Sequence, residues 1–394
     1  MGAVGRAIIP DHADRRLIIA ASSIHLLNDA CFALLYPLLP AIAAEFHLSY
    51  AQVGTLKAAF SGASSVLQIP AGLLGERLGE YLVLLLGNAW VGLGLAGMAL
   101  SGSFAALLLF SVLAGIGGNA QHPLATSLVS RSAARARMAT ALGTLNFAGD
   151  LGKLLGPLVA GLLVSRLGWR AAFLGVGGVT AGFSAILLWK RSLISLPPSR
   201  PPVSESPAVP KAGQGGMLVL LLVASSLDSM TRGAALTFLP FLLVRHGWST
   251  GAVSALFALI FAAGAAGKFA CGWLGDHWGV IATIVVTELL TAGTLLGFLP
   301  ANAPADALLA VAFGFGLNGT SSALLAVVAR LVPMHRRTRG YGTYFTVTLV
   351  SSALAPLAYG VLGDHAGLTP VFVVMAVLTA AVAVLALPLG PTLD

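Results

Sequence analysis

Charge is what this sequence has least of. Of its 394 residues only 9% are Asp, Glu, Lys or Arg, against about 25% in a soluble domain, and that scarcity excludes an ordinary water-soluble fold. Cysteine is nearly absent too. Cys31 and Cys271 both fall inside apolar runs, where a thiol behaves as a small apolar side chain, so no disulfide is expected. The opening residues MGAVGRAIIPDHADRR contain no short apolar core with a small-residue cleavage site, and no signal peptide is expected. Neither a G-x-x-x-x-G-K-[ST] phosphate loop nor a G-x-S-x-G nucleophile turn occurs, which argues against ATP-driven pumping and against that type of hydrolase. No hydrophilic stretch is long enough to make an extramembrane domain. Neither an enzyme nor a cofactor is expected.

What is present is apolar: 57% of residues are hydrophobic and the mean hydropathy is +0.91. A membrane helix needs about 20 such residues, and the chain divides into twelve runs. In the first half they cover 17–44, 50–75, 81–101, 104–130, 138–165 and 170–190. In the second they cover 216–245, 250–274, 280–300, 305–330, 340–364 and 369–389. Between the halves, RSLISLPPSRPPVSESPAVPKAGQGG is too rich in Pro, Ser and Gly to pack a core. The expected organisation is a bundle over 1–190, a cytoplasmic disordered linker over 191–216 and a second bundle over 217–394.

The net charge of +8 does not indicate nucleic acid, because the basic residues sit between apolar runs. Arg6, Arg15, Arg16, Arg77, Arg131, Arg135, Arg137, Lys190, Arg191, Arg200, Lys211, Arg330, Arg336, Arg337 and Arg339 fall on one side. Arg166, Arg170 and Arg245 fall on the other. The bias places both termini in the cytoplasm.

The halves are related. Gly72, Gly75, Glu76 and Gly79 match Gly272, Gly275, Asp276 and Gly279 at an offset of 200; Gly115, Gly117, Asn119 and Arg131 match Gly314, Gly316, Asn318 and Arg330 at 199. Gly143, Pro157, Gly161 and Gly168 match Gly342, Pro356, Gly360 and Gly367, also at 199. Aligning SSIHLLNDACFALLYP from Ser22 with SSLDSMTRGAALTFLP from Ser225 by their serines and final proline sets Asp228 opposite His25 and Arg232 opposite Asp29. Two parallel six-helix halves suit the major facilitator superfamily.

GLLGERLGE, Gly72 to Glu80, resembles that superfamily's G-x-L-a-D-R-x-G-R loop, with Glu76 for its aspartate and Glu80 for its last basic residue; GWLGDHWG supplies Asp276 in the second copy. The resemblance implies an all-α, twelve-span fold in two pseudo-symmetric bundles, with Gly72, Glu76, Arg77, Gly79 and Asp276 in loops that latch and release helix ends. HLLNDACFALLYPLLPAIAAEFHLSYAQVGTL, GIGGNAQHPLATSLVSR and LNFAGDLGKLLGPLVAG resemble, more narrowly, the fosmidomycin-resistance type of exporter. By the same resemblance the first, fourth, seventh and tenth spans line a cavity.

Eight charges lie inside expected spans: Asp29, Asp150, Asp228, Glu288, Lys57, Lys153, Arg232 and Lys268. Left unpaired they would cost roughly 20 to 28 kcal/mol, more than a protein's whole stability. Four acids and four bases therefore suggest mutual pairing, with Lys57 and Lys153 as partners for acids of the first half. His25 and Asp29 share a helix face, being about 40° apart, with Asn28 beside them, and Asp228 and Arg232 do the same. Arg232 could close on Asp228 or meet Asp29 across the halves. Glu288, on the ninth span, is expected to be structural or to snorkel.

Candidate proton-coupling residues are Asp29, Asp150 and Asp228. Candidate substrate-binding residues are His25, Asn28, Lys57, Asn119, Gln121, His122, Asn146, Lys153, Arg232 and Asn318. His25, Asp29 and His122 could converge as a metal site, but two histidines and one acid without repeated spacing are a weak ligand pattern; no metal is assigned. The expected function is rocker-switch transport: a proton-coupled exporter of a small organic compound, anionic or not, acting as a monomer in a bacterial-type inner membrane. Uptake or exchange of an organic anion, or carriage of a metal ion or complex, remains open, and a membrane sensor or scaffold is disfavoured.

Overall fold

The computed structural model describes residues 11–118, 121–133, 137–194, 215–300, 303–332 and 337–392. The expected linker is almost wholly outside them, as is Asn119. Among the described residues all regular structure is helical. The first half comprises α1 (Asp11–Ala33), α2 (Leu35–Phe46), α3 (Tyr50–Val66), α4 (Gln68–Leu78), α5 (Glu80–Leu100), α6 (Phe104–Gly118), α7 (Gln121–Ser132) and α8 (Met138–Trp189). The second comprises α9 (Gly215–Arg245), α10 (Thr250–His277), α11 (Val280–Gly297), α12 (Ala303–Leu331), α13 (Arg337–Ala366) and α14 (Leu368–Ala386).

Ten helical runs among these are long and apolar enough to cross a bilayer. One of them, 140–189, is two crossings, since Gly168 stands at φ 81° and ψ 171° in the middle of α8 and turns the chain back. The pair α3–α4 supplies another, and twelve crossings result. Two expected spans are broken rather than continuous, for one reason. Pro37 and Pro70 each lack the N–H that would bond the carbonyl four residues back; α1 ends at Ala33 and α3 at Val66, at those carbonyls. The matching positions in the second half are Thr237 and Ala270, and α9 and α10 run through them unbroken.

The backbone confirms the duplication and corrects its register. Positive φ occurs, among the described residues, at His47, Gly79, Gly168, Gly247, Gly279 and Gly367, which pair off at offsets of 200, 200 and 199. Ser49 and Ser249 cap α3 and α10 in the same way. An offset of 200 matches Pro40 with Pro240 and sets Asn28 opposite Asp228 and Phe32 opposite Arg232. Aligning on Pro37 is three residues out, because a serine pair and a proline match by type whereas helix ends fix position.

The halves meet along two seams, α3 with α13 and α10 with α8, and both are tightest at the end bearing His47, Gly168 and Gly247. There a Cβ on Gly54 would strike the Pro356 carbonyl, one on Gly360 the Tyr50 carbonyl, and one on Gly161 would lie 2.9 Å from that of Ser254. Only glycine allows backbones so close. At this end the Asp364 carboxylate accepts from Ser49 Oγ at 2.7 Å and from the backbone N–H groups of Tyr50 at 2.7 Å and Ala51 at 3.0 Å, fastening α13 to the start of α3. In the other seam the equivalent position is Ser165, near Gly251.

Candidate functional site

α1 brings His25, Asn28 and Asp29 to its buried side, each no more than 4% exposed. They fit because α8 opposite them carries Gly149, Gly152 and Gly156: a Cβ on Gly149 would collide with the His25 ring, and Cβ atoms on the other two would strike the carbonyls of Leu26 and Ala30. About two turns of α8 thus approach α1 closely enough for Lys153 Nζ to reach Asp29 Oδ2 at 3.2 Å. The same ammonium lies 3.4 Å from Asp150 Oδ1, and that oxygen accepts from Lys268 Nζ of α10 at 2.6 Å. The result is an alternating chain, Asp29–Lys153–Asp150–Lys268, whose last link crosses from one half to the other.

His25 Nε2 lies 3.7 Å from Asp29 Oδ2, and the His25 and His122 rings meet edge to face with centroids 4.9 Å apart. The two histidines are therefore neighbours, as their depth in the sequence implied. Among the described residues they and Asp29 do not form a group able to hold a metal. Gln121 is fully buried, and neither of its amide atoms has a partner among the described residues.

In the second half, Arg232 forks between Asp228, 3.1 Å away, and the Asn318 carbonyl oxygen at 3.1 Å. The intrahelical pairing with Asp228 is thus formed, whereas the pairing of Arg232 with Asp29 across the halves is not: Lys153 occupies Asp29, and the link between halves is Lys268–Asp150. The mutual pairing of all eight charges is likewise corrected. Lys57 takes no carboxylate among the described residues; its ammonium donates to Ser61 Oγ and lies 4.5 Å from the centroid of the Tyr36 ring, a cation–π contact. Glu288 is the acid left over, with Asp228 and Arg232 as its charged neighbours.

These groups face a cavity of about 560 Å³. Asp29 and Phe32 from α1, Tyr36 from α2 and Asp228, Arg232 and Leu236 from α9 line it, with Asn146 and Lys153 from α8, Lys268 from α10 and Asn318 from α12. Toward its mouth it is lined by Ser321, Ser322 and Leu325 of α12 and by Tyr344 and Phe345 of α13. Those residues lie toward Leu331 of α12 and Arg337 of α13, opposite the closed end, so the cavity opens on that side. Of the residues expected in loops only Gly79 lies between helices: Gly72, Glu76 and Arg77 belong to the last turns of α4 and Asp276 to the last turn of α10, since each helix runs on to the positive-φ glycine that ends it. Glu76, Arg77, Gly79 and Asp276 are exposed at the open end, with Gly72 half-buried there. Glu80, which replaces a basic residue of the resembled loop, pairs with Arg131 of α7 and accepts from Ser127 Oγ at 2.8 Å.

Sequence reasoning gave Lys268 no role at the site, although an ammonium between Gly267 and Phe269 in an apolar run was a visible signal. Ser321, Ser322 and Tyr344 gave no comparable signal, because which face of a span they occupy depends on packing.

Comparisons with known proteins agree with this architecture. The family model described as Major Facilitator Superfamily matches residues 21–304 and 221–393. The chain is 28% identical over 373 residues to the fosmidomycin resistance protein of Escherichia coli (strain K12), covering 91% of this chain and 89% of that one. It is 33% identical over 148 residues to the tetracenomycin C resistance and export protein of Streptomyces glaucescens, over 36% of this chain and 28% of that one. Among solved structures, a bacterial homologue of the human lysosomal transporter Spinster, in an inward-facing and unoccupied conformation, superposes with a TM-score of 0.83 at 18% identity, over 97% of this chain and 98% of that one.

Proposed function

This chain belongs to the major facilitator superfamily, and from that premise we propose that it exports a small organic compound in exchange for protons, by rocking its two halves about the central cavity. The observation that carries the reading is the chain of alternating charges, Asp29–Lys153–Asp150–Lys268, which joins the halves beside a cavity open at one end. A charged network buried in a span is costly to keep unless it works. The resistance and export proteins among its relatives support the outward direction. With both termini cytoplasmic, the open end faces the cytoplasm, where such a compound would be collected in a bacterial inner membrane by a monomer.

Asp29, Asp150 and Asp228 are the proposed proton carriers. Protonating any of them releases its basic partner, and release of Lys268 from Asp150 frees one half from the other. Arg232 offers a planar fork to a phosphonate, phosphate or carboxylate, and Lys153 a second cation, with His25, Asn28, His122, Asn146 and Asn318 as polar neighbours and Lys57 near Tyr36.

The charge of the substrate sets the sign of the proton movement. A cationic group that takes a base's place beside its carboxylate competes with the proton; an anionic group that draws Arg232 away from Asp228 leaves a bare carboxylate that attracts one. The test is uptake of labelled fosmidomycin into liposomes holding the purified protein, with and without an imposed pH gradient. We expect gradient-dependent movement that Arg232→Ala abolishes. Protons released when the compound binds in weakly buffered solution would support exchange. Proton uptake on binding would overturn exchange in favour of joint movement of anion and proton.

A further inference from the structure

We propose that Lys57 is an anion-binding site of the outward-facing state, screened from the cavity by the aromatic contact that Tyr36 makes across the halves. The proposal deepens the transport reading above and rests on its rocking of two halves, but not on proton exchange. Three of the four bases inside the spans are already served by carboxylates: Lys153 by Asp29 and Asp150, Lys268 by Asp150, and Arg232 by Asp228. An anion that draws on any of these parts it from its acid. Lys57 is the exception among the described residues. It is 4% exposed, its ammonium donates to Ser61 Oγ, and its other recorded neighbours are ring faces, Tyr36 with its centroid at 4.5 Å and Phe60 at 5.7 Å. A cation inside a span is costly and marks a ligand pathway more often than a packing site. This one keeps donors to spare and has no acid to give them to.

Its place in the fold says when it is used. Lys57 stands about two turns of α3 beyond Tyr50 at the closed end. It does not line the cavity, whereas Tyr36 does. The Tyr36 ring meets those of Phe257 and Phe261 of α10 at centroid separations of 6.3 and 6.4 Å, within the range of aromatic pairs, and Phe261 also lines the cavity. The three rings thus bridge the halves at the blind end of the cavity, and Lys57 lies behind them.

Rocking that opens the closed end carries α2 and α3 away from α10. Tyr36 and Lys57 move together with the first half, while Phe257 and Phe261 stay with the second, so the ammonium comes to face the outward opening. An anion leaving Arg232 meets Lys57 next. Because Lys57 has no carboxylate to surrender, binding there uncovers no acid, and Arg232 is free to return to Asp228. The ligand it fits is the phosphonate, phosphate or carboxylate of a small organic anion, since a compact ammonium serves an oxyanion as a point charge.

The test treats the purified full chain with trinitrobenzenesulfonate, an anionic reagent for amines, and maps each modified lysine by mass spectrometry. Without ligand, Lys57 should react far more slowly than Lys153 and Lys268, about a third of whose side chains is exposed. Tyr36→Ala should raise the rate at Lys57 several-fold. The phosphonate fosmidomycin should suppress that gain and an equal concentration of glycerol should not. The protection should persist when Arg232→Ala is added, so that it is not borrowed from the fork in the cavity. A Lys57 that stays unreactive in Tyr36→Ala, or that reacts unprotected, overturns the proposal. If Tyr36→Ala fails to fold, Phe261→Ala removes the opposing ring and gives the same reading.

A second measurement uses right-side-out vesicles, where added fosmidomycin meets the outward face. Lys57→Met should raise the KM for counterflow several-fold and Lys57→Arg should restore it, while the unfolding midpoint of Lys57→Met does not fall, since an unpaired buried charge is being removed. A midpoint that falls with KM unchanged would make Lys57 a packing residue and overturn the site. A wild type that moves no fosmidomycin, although the compound protects Lys57, would sink the transport reading for that compound and leave the anion site standing.

Discussion

At the scale of single residues, the chemistry in this chain is a matter of who neutralises whom. Lys153 holds Asp29, a carboxylate 4% exposed, while a third of its own side chain faces the cavity. Removing one partner of a buried pair strands the other, at about 3 to 5 kcal/mol when the site is dry. Cavity water lowers that, and Lys153→Met should cost about 2 to 4 kcal/mol. The double variant Asp29→Asn with Lys153→Met should recover most of the loss, and thermal unfolding of the four proteins in detergent measures the coupling. Equal losses in the double and the single variant would mean that Lys153 matters only for packing. The acids and bases themselves were legible, since a charge in an apolar run announces itself, and so were pairs four apart on one helix, Asp228 with Arg232. Pairs between helices were not. Lys153 with Asp29 depends on the close approach that Gly149, Gly152 and Gly156 allow, and the rotation of one helix against another is absent from a linear pattern.

At the scale of elements, twelve crossings and their order could be read from hydropathy, and the repeat could be read from glycines. The breaks could not be read. Pro37 and Pro70 lie in runs apolar enough to pass for straight helices, while Pro40, Pro157, Pro240 and Pro356 are absorbed inside α2, α8, α9 and α13. Both jointed spans belong to the first half. Pro70→Ala gives the second span the residue found at the matching position of the unbroken α10. It restores a backbone donor and relieves a cost of up to about 3 kcal/mol, so α3 and α4 should fuse. Amide exchange at residues 67–69 should slow and the unfolding midpoint should rise, while transport slows if the joint is used in each cycle. Unchanged exchange would show that packing, not proline, sets the break.

At the scale of the whole molecule, the halves are held at one end and parted at the other. The closed end can be tested by locking it. A Cβ on Gly251 would lie 3.8 Å from that of Ser165, a separation that suits a disulfide. The pair Ser165→Cys with Gly251→Cys should cross-link on mild oxidation, stop transport and regain it on reduction. Cys31 and Cys271 are buried and free and should stay unreacted. Transport that continues with the bridge formed would mean that this seam never opens.

The two seams at that end, though built from one repeated fold, are fastened differently. Along α3 and α13 the Asp364 carboxylate gathers three donors across the divide; along α8 and α10 its counterpart is the neutral Ser165 beside a glycine. Parting the first seam releases an ionised group into water, and parting the second releases only close van der Waals contact. Salt should therefore act unequally on the two. Asp364→Asn would loosen one margin and leave the other as it was, so the opening acquires a hinge side and a free side, and a compound leaving the cavity would pass along α3 and α13.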